Sequence, residues 1–375
     1  MTVTPATRAV ETATHAEILQ QPGSWHRLAA SITDLRAGLD GFLAPVLATD
    51  GLRIVLTGAG TSAFVGDIAA ETLRRRLGRR VDSVATTDIV SDPHGVFAED
   101  APVLLVSFAR SGNSPESIAA TRIVDAVAPG AHHLVITCDP QGVLAQEHRS
   151  ADRSFVLEMP AETNDTGFAM TSSFSTMLLA ALLTFLPDQA DAVDRLAEAA
   201  GSLIDQEARI ASFADGVERV VYLGSGALRG AARESALKLL ELTAGRVVSF
   251  FDSPLGFRHG PKAVIDGSTL VVVHGSSDAY TARYDTDILR ELRGDGAVRV
   301  VSVGVADDAD GFPLDGIADL DDGFRAAATV VFAQLLALSA SVQHGCTPDN
   351  PFPSGTVNRV VQGVIIHDLA EDAAE

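Results

Sequence analysis

The run Val103-Leu-Leu-Val-Ser-Phe-Ala-Arg-Ser-Gly-Asn-Ser-Pro-Glu-Ser117 decides how the chain is to be read. Its four leading apolar residues, Val103 to Val106, have the character of a short strand buried on both faces, as in a parallel sheet. The chain then turns to small, hydroxyl-bearing residues. Ser111-Gly112-Asn113-Ser114 predicts a tight turn, and Ser114-Pro115 predicts a helix start with serine as N-cap and proline at the first helical position. A strand, a Ser/Gly turn and a helix N-terminus together can hold an anion through free backbone N–H groups, the positive end of the helix dipole and hydroxyl donors. Arg110 adds a positive charge at the lip. A well-capped turn that binds nothing has the same signature, so the rest of the chain has to decide.

Outward from this run, strands and helices alternate. On the amino-terminal side, His15 to Pro22 reads as a short helical piece stopped by its proline. Trp25 to Leu47 carries apolar residues at helical spacing (Leu28, Ile32, Leu35, Leu39, Phe42, Val46) and predicts a packing helix. Ile54 to Thr57 reads as a strand, Gly58-Ala-Gly60-Thr61-Ser62 as a glycine loop, and the following residues as a helix to about Leu77. A second strand is expected near Arg80 to Thr86, and a fourth at His133 to Thr137 after the helix that opens at Ser114. This alternation implies a doubly wound parallel sheet of the α/β class. Beyond the polar Glu162 to Phe174 segment, a helical region is expected over about Asp188 to Ala214, after which the pattern restarts.

The restart is an internal repeat. Arg53-Ile-Val-Leu-Thr-Gly-Ala-Gly-Thr-Ser aligns with Arg219-Val-Val-Tyr-Leu-Gly-Ser-Gly-Ala-Leu at an offset of 166 residues. The same offset carries Leu104-Leu-Val onto Leu270-Val-Val and Leu134-Val-Ile onto Val300-Val-Ser. Two tandem αβα domains are therefore expected: a helical segment at 1–50, a first domain at 51–200 and a second at 201–375 with a carboxy-terminal tail. The repeats differ in their donors. Thr61-Ser62 becomes Ala227-Leu228, and Ser111-Gly-Asn-Ser114 becomes Ser277-Asp278-Ala-Tyr, where a carboxylate would repel phosphate. One phosphate site per chain, in the first domain, is the expectation. The loop lacks the full dinucleotide fingerprint, and no acidic residue follows to read a ribose, which argues against NAD.

Composition narrows the class. Across 375 residues, 28 Lys+Arg against 49 Asp+Glu leave a net charge of −21. That field repels nucleic acid and anionic membranes, so neither is an expected partner. Cys138 and Cys346 match no metal-ligand spacing. Met1 to Glu17 shows no apolar leader, and runs such as Met177 to Leu183 are too short to cross a bilayer. A cytoplasmic location is expected.

The second repeat carries different chemistry. In Glu234-Ser-Ala-Leu-Lys-Leu-Leu-Glu241, the residues Glu234, Lys238 and Glu241 fall within about 60° of one another on a helix. A charged face on the helix after a glycine loop is a candidate for proton transfer; a solvated salt-bridged stripe is the alternative. His259, in Arg258-His-Gly-Pro261, is a candidate proton shuttle, although a lone histidine can equally be structural.

With these motifs in place, nearly the whole chain resembles the sugar isomerase (SIS) family of flavodoxin-like domains. It is most similar to the tandem-SIS proteins of the galactosamine-6-phosphate deaminase/isomerase (tagatose-6-phosphate ketose/aldose isomerase) type. The residues that carry the resemblance are Glu17 to Pro22, Gly58 to Ser62, Ser107 to Ser117, Glu162 to Asp165, Ala169 to Phe174, Glu234 to Glu241, Arg258 to Pro261 and the Asn350 to Val364 tail. The resemblance implies that Gly60, Thr61, Ser62, Ser111 and Ser114, with Arg110 and Asn113 beside them, hold a sugar phosphate. It implies that Glu241 moves the proton between carbons 1 and 2, with Lys238 beside it. It further implies that His259 helps open the ring of a substrate bound to a neighbouring subunit, in a homodimer or larger homo-oligomer. Two departures stand out against the isomerase half of glucosamine-6-phosphate synthase. Ala109 replaces a serine, so Arg110 is expected to take part of the phosphate contact. Gln362 stands near that enzyme's carboxy-terminal lysine. No glutaminase domain is seen, so synthesis from glutamine is not expected.

The activity implied is conversion of a hexosamine-6-phosphate to a ketohexose-6-phosphate plus ammonia, for which neither a metal nor an organic cofactor is expected. Two alternatives remain at this point: a ketose/aldose isomerase or deglycase without deamination, and a non-catalytic sugar-phosphate sensor.

Overall fold

Five strands, β1 (Arg53–Thr57), β2 (Val81–Ser83), β3 (Val103–Ala109), β4 (His132–Thr137) and β5 (Ser154–Glu158), run parallel in the order β2-β1-β3-β4-β5. Four more, β6 (Arg219–Leu223), β7 (Val248–Asp252), β8 (Thr269–His274) and β9 (Arg299–Val303), form a second parallel sheet in the order β7-β6-β8-β9. The computed structural model describes residues 11–369 apart from Ala297, Asp307 and Gln362; the tail position Gln362 therefore lies outside the described residues. The expectation of two parallel-sheet α/β domains is met.

The first unit is built around β3. All seven of its residues and all five of β1 are buried, as expected of strands covered on both faces. Val55 and Leu105 pack with Ile89, Ala120 and Val124 under the helices Thr86–Ser91 and Pro115–Val127. Burying each of the valine, leucine and isoleucine side chains is worth roughly 1.5–3 kcal/mol. A one-residue slip would exchange the two faces, so the strand register is held tightly.

The second unit repeats this plan. Arg53 pairs with Val103 and Arg219 with Thr269, each at the 166-residue offset. Gly60 and Gly226 have the same conformation, φ 56° and ψ −129°, at the entry to the helices Thr61–Leu77 and Ala227–Leu242. The offset slips farther on. Leu104 pairs with His132 but Leu270 with Arg299, so β9 sits one residue later than the sequence alignment places it.

Other expectations are corrected. The strand β5 escaped the sequence reading, because Ser154 to Glu158 is short and only Leu157 is fully withdrawn from solvent. Pro22 does not end a helix; it lies in the first turn of Gln21–Leu47, where its missing N–H costs nothing. The region after Asp188 divides at Gln206 into the helices Ala192–Asp205 and Glu207–Ser212. The helix Asp322–Gln343 is more apolar and longer than any run considered from sequence, and 83% of its most apolar window is buried inside the structure. It is long enough to cross a membrane, but here it packs along Ala227–Leu242.

The compact units also differ from consecutive domains. One comprises Ser24–Asn164, Ser173–Val193 and the tail from Ser354; the other comprises the residues up to Gly23, Asp165–Ser172 and Asp194–Pro353. Side-chain contacts explain both exchanges. Ile366 and Leu369 of the tail pack against the Val55 cluster, and the Arg359 carbonyl accepts from Arg110 at 3.2 Å. At the other end, the N–H groups of Ala13 and Thr14 donate to Asp349 at 2.9 and 2.8 Å, and Gln21 donates to Gln334 at 2.7 Å.

Two buried histidines tie stability to pH. Burial pushes His274 down to about 4, and burial together with the charge of His133 pushes His148 down to about 4. Both stay neutral in the fold but take up protons near pH 6.5 once unfolded. Their contribution is therefore constant above pH 6.5 and is lost as pH falls from 6.5 toward 4. Asp285, raised to about 6 chiefly by burial, opposes them with one proton. Urea unfolding should show stability falling between pH 6.5 and 4.5 by up to about 1.4 kcal/mol per pH unit, and His274→Gln should flatten that slope.

Candidate active site

In the first unit the chain order reverses between β1 and β3, and such a switch point leaves a crevice at the carboxyl ends of the strands. Two turns border it. One follows β1 and runs through Gly58 to Ser62. A Cβ at Gly58 would lie 2.5 Å from the Ser62 carbonyl carbon, so the turn closes only around glycine. Thr61 and Ser62 are buried as the helix Thr61–Leu77 begins. The other turn follows β3 and holds Arg110, Ser111, Gly112, Asn113 and Ser114. Gly112 has φ 65°, and the Asn113 side-chain oxygen accepts from the Val143 N–H at 3.0 Å, fixing the turn to the next loop.

Ser114 is the N-cap of Pro115–Val127 and Pro115 its first residue, yet the Ser114 side chain makes no capping hydrogen bond. The N-terminal donors of that helix are thus not taken by their own cap, which suits an anion. Arg110 is not an exposed cation at the lip: it is 7% exposed and donates to the Arg359 carbonyl. Sequence reasoning missed a set of buried hydroxyls near these turns. The hydroxyls of Thr57 and Ser107, register partners on β1 and β3, are buried without a hydrogen-bond partner, as is that of Thr86. Alternation along β3 would have placed Ser107 on the Leu105 face, but not its lack of a partner.

In the second unit the charged face of Ala227–Leu242 is not solvated. Glu234 and Lys238 are 0% and 1% exposed, and the Glu241 side chain is 24% exposed. The Lys238 ammonium bonds to the Glu241 carboxylate and stands 3.5 Å from Glu234. Burial works against the ammonium, but the two carboxylates outweigh it and hold the Lys238 pKa above its ordinary value. The charged form of Lys238 is thus favoured by its neighbours, and Glu241 is the end of the line that reaches solvent. Such an arrangement suits a carboxylate that exchanges protons with a bound molecule.

His259 lies on the turn after the short helix Pro254–Phe257, exposed, with no side-chain hydrogen bond among the described residues. It is not joined to Lys238 or Glu241 by any such bond. Its neighbours Arg258 and Lys262 are both anchored to Glu291, at 2.8 and 2.7 Å, so the loop itself is fixed. Among the described residues, no group of three or more His, Cys, Asp or Glu side chains is arranged to hold a metal ion.

Breaking a buried ion pair from one side leaves a charge without its counterpart, at a cost of about 3–5 kcal/mol. Lys238→Met is therefore expected to lower unfolding free energy by that amount through Glu234. Glu241→Gln, at the wetter end, should cost distinctly less, and comparison of the two denaturation midpoints checks the order.

Residues 47–187 match the SIS domain family. A relative from Streptomyces coelicolor is 54% identical over 98% of this chain and all of its own. The Escherichia coli protein named D-galactosamine-6-phosphate deaminase AgaS is 47% identical over 97% of this chain and 98% of its own. The crystal structure of tagatose-6-phosphate ketose/aldose isomerase from Escherichia coli superposes with a TM-score of 0.88 at 43% identity, covering 98% of this chain and 100% of that one. Similarity of this extent runs through both sheets, and the chain belongs to the AgaS group of the SIS-domain sugar isomerase family.

Proposed function

We propose that the chain is an amino-sugar phosphate deaminase/isomerase that converts galactosamine-6-phosphate and water to tagatose-6-phosphate and ammonia. The observation that carries the reading is the Lys238–Glu241 pair: a solvent-reaching carboxylate backed by a buried ammonium. The relatives named as deaminases, at 42–47% identity, support the choice of an amino sugar.

In the proposed reaction the phosphate sits in the first crevice against Gly60, Thr61, Ser62, Ser111, Asn113 and Ser114, with Arg110 supplying charge from below. His259, from a neighbouring subunit of a homo-oligomer, passes the proton that opens the ring. Glu241 then takes the proton from carbon 2 of the open aldehyde, and the electron pair forms an enolamine across carbons 1 and 2. Lys238 stabilises the charge that develops on the carbon 1 oxygen. Return of the proton to carbon 1 leaves an imine at carbon 2; water adds there and ammonia departs as the ketone forms. No step in this sequence draws on a metal or organic cofactor, and a cytoplasmic setting, where hexose phosphates are kept, suits it.

A second reading is the plain ketose/aldose isomerase, favoured by the name of the Escherichia coli structure. There the same enolisation occurs on a carbon 2 hydroxyl and no ammonia is lost.

Ammonia release decides between them. Mixing the protein with galactosamine-6-phosphate should yield ammonia and tagatose-6-phosphate in equal amounts, whereas ketose formation only from an aldose phosphate would favour the second reading. Glu241→Gln keeps the shape and removes the base, so kcat should fall about 100- to 10,000-fold while KM moves little. Turnover within a few-fold of the parent would end the assignment. Mixed oligomers of His259→Ala and Glu241→Gln chains should regain part of the activity, and no recovery in verified mixtures would remove the shared site.

A further inference from the structure

The second unit has its own crevice between β6 and β8, and it is already full. The turn after β6 repeats the glycine geometry of the first unit at Gly226, and a Cβ at Gly224 would lie 2.3 Å from the Leu228 carbonyl oxygen. After β8 comes Ser276-Ser277-Asp278, at the 166-residue offset from Arg110-Ser111-Gly112. The donors of this turn point at a carboxylate of the same chain. Asp322, the first residue of Asp322–Gln343, accepts from the Ser276 hydroxyl at 2.5 Å, the Ser277 N–H at 2.8 Å and the Ser277 hydroxyl at 3.0 Å. It also accepts from the Arg325 guanidinium at 3.2 Å. Asp285 accepts from the Ser276 N–H at 2.9 Å. Asp278 accepts from the Thr281 N–H at 2.9 Å, occupying the start of the helix Thr281–Asp295.

The cradle is a built one: Ser276 is 7% and Arg325 3% exposed. In the first unit the matching helix start has an N-cap serine that makes no capping bond. We infer that Asp322 is an internal anion that occupies, in the second crevice, the position a ligand's phosphate takes in the first, so that each chain offers one phosphate seat. This rests on the proposed reading of the first crevice. A tethered carboxylate is present at an effective concentration of millimolar or more, which a free phosphate ester would have to exceed. A phosphate that did displace it would lie among Asp322, Asp285 and Asp278, where like charges repel. The loss of Thr61 and Ser62 equivalents, noted from the sequence, is thus only half of the change; the vacancy was also filled.

Phosphate stoichiometry on the full chain tests this. By equilibrium dialysis with inorganic phosphate, the parent protein should bind one equivalent per chain. Asp322→Gly/Asp285→Asn removes the plug and its neighbouring charge, and should bind two. Adding Ser62→Ala and Ser111→Ala should abolish the first equivalent and leave the new one. A folded plug variant that keeps the parent stoichiometry overturns the inference. A parent that binds none while the variant gains one counts against the first-crevice reading and still supports Asp322 as the plug. Should the variant fail to fold, a crystal of the parent grown in phosphate gives the answer. Asp322 still bonded to Ser276 and Ser277 supports the inference, and a phosphate seated on those serines overturns it.

Discussion

A strand that must turn at once into a helix lying back over its own sheet leaves almost no room at the bend. In both units that room is made by a pair of glycines, Gly58 and Gly60 or Gly224 and Gly226. The first of each pair lies against the backbone or side chain four residues on, and the second takes a conformation that other residues rarely adopt. Two sets of candidate residues hang from these two bends. The first sets Thr61 and Ser62 at the edge of a crevice. The second starts the helix on which Glu234, Lys238 and Glu241 are aligned.

The two halves have used the same bend for different ends. One starts its helix at Ser114 without a side-chain capping bond and buries the hydroxyls of Thr57, Ser107 and Thr86 with no hydrogen-bond partner among the described residues. The other spends its donors on Asp322 and Asp285, and carries its chemistry about two to four turns along the following helix. The deeply buried ammonium of Lys238 is offset by two carboxylates on the same helix face, so positions 234, 238 and 241 are linked.

How far the sequence could be read follows from which signals are local. The glycine bends, the apolar run of β3 and the Ser114-Pro115 helix start are short-range features, and all three are found where their residues predict. The helix face of Glu234, Lys238 and Glu241 follows from periodicity, but its burial does not, because burial depends on the packing of Asp322–Gln343 far along the chain. Arg110 was legible as a charge and not as a buried one, since its partner is a backbone carbonyl at Arg359. Asp322 carries no local sign of its role at all: an acidic residue in the first turn of a helix is ordinary, and only the fold brings Ser276 and Ser277 to it. The exchange of chain ends between the units was hidden for the same reason.

That exchange sets the timetable on which the protein can be made. The helix Ala13–Leu19 has seven residues, too few to persist alone, and its first N–H groups are held by Asp349, 336 residues farther on for Ala13. At a translation speed of about 5–20 residues per second, the ribosome delivers that carboxylate roughly 20 to 70 seconds after the helix itself. The five-stranded unit waits longer still, for Ile366 and Leu369 to cover the Val55 cluster. Each unit is therefore completed late, by contacts between residues made far apart in time.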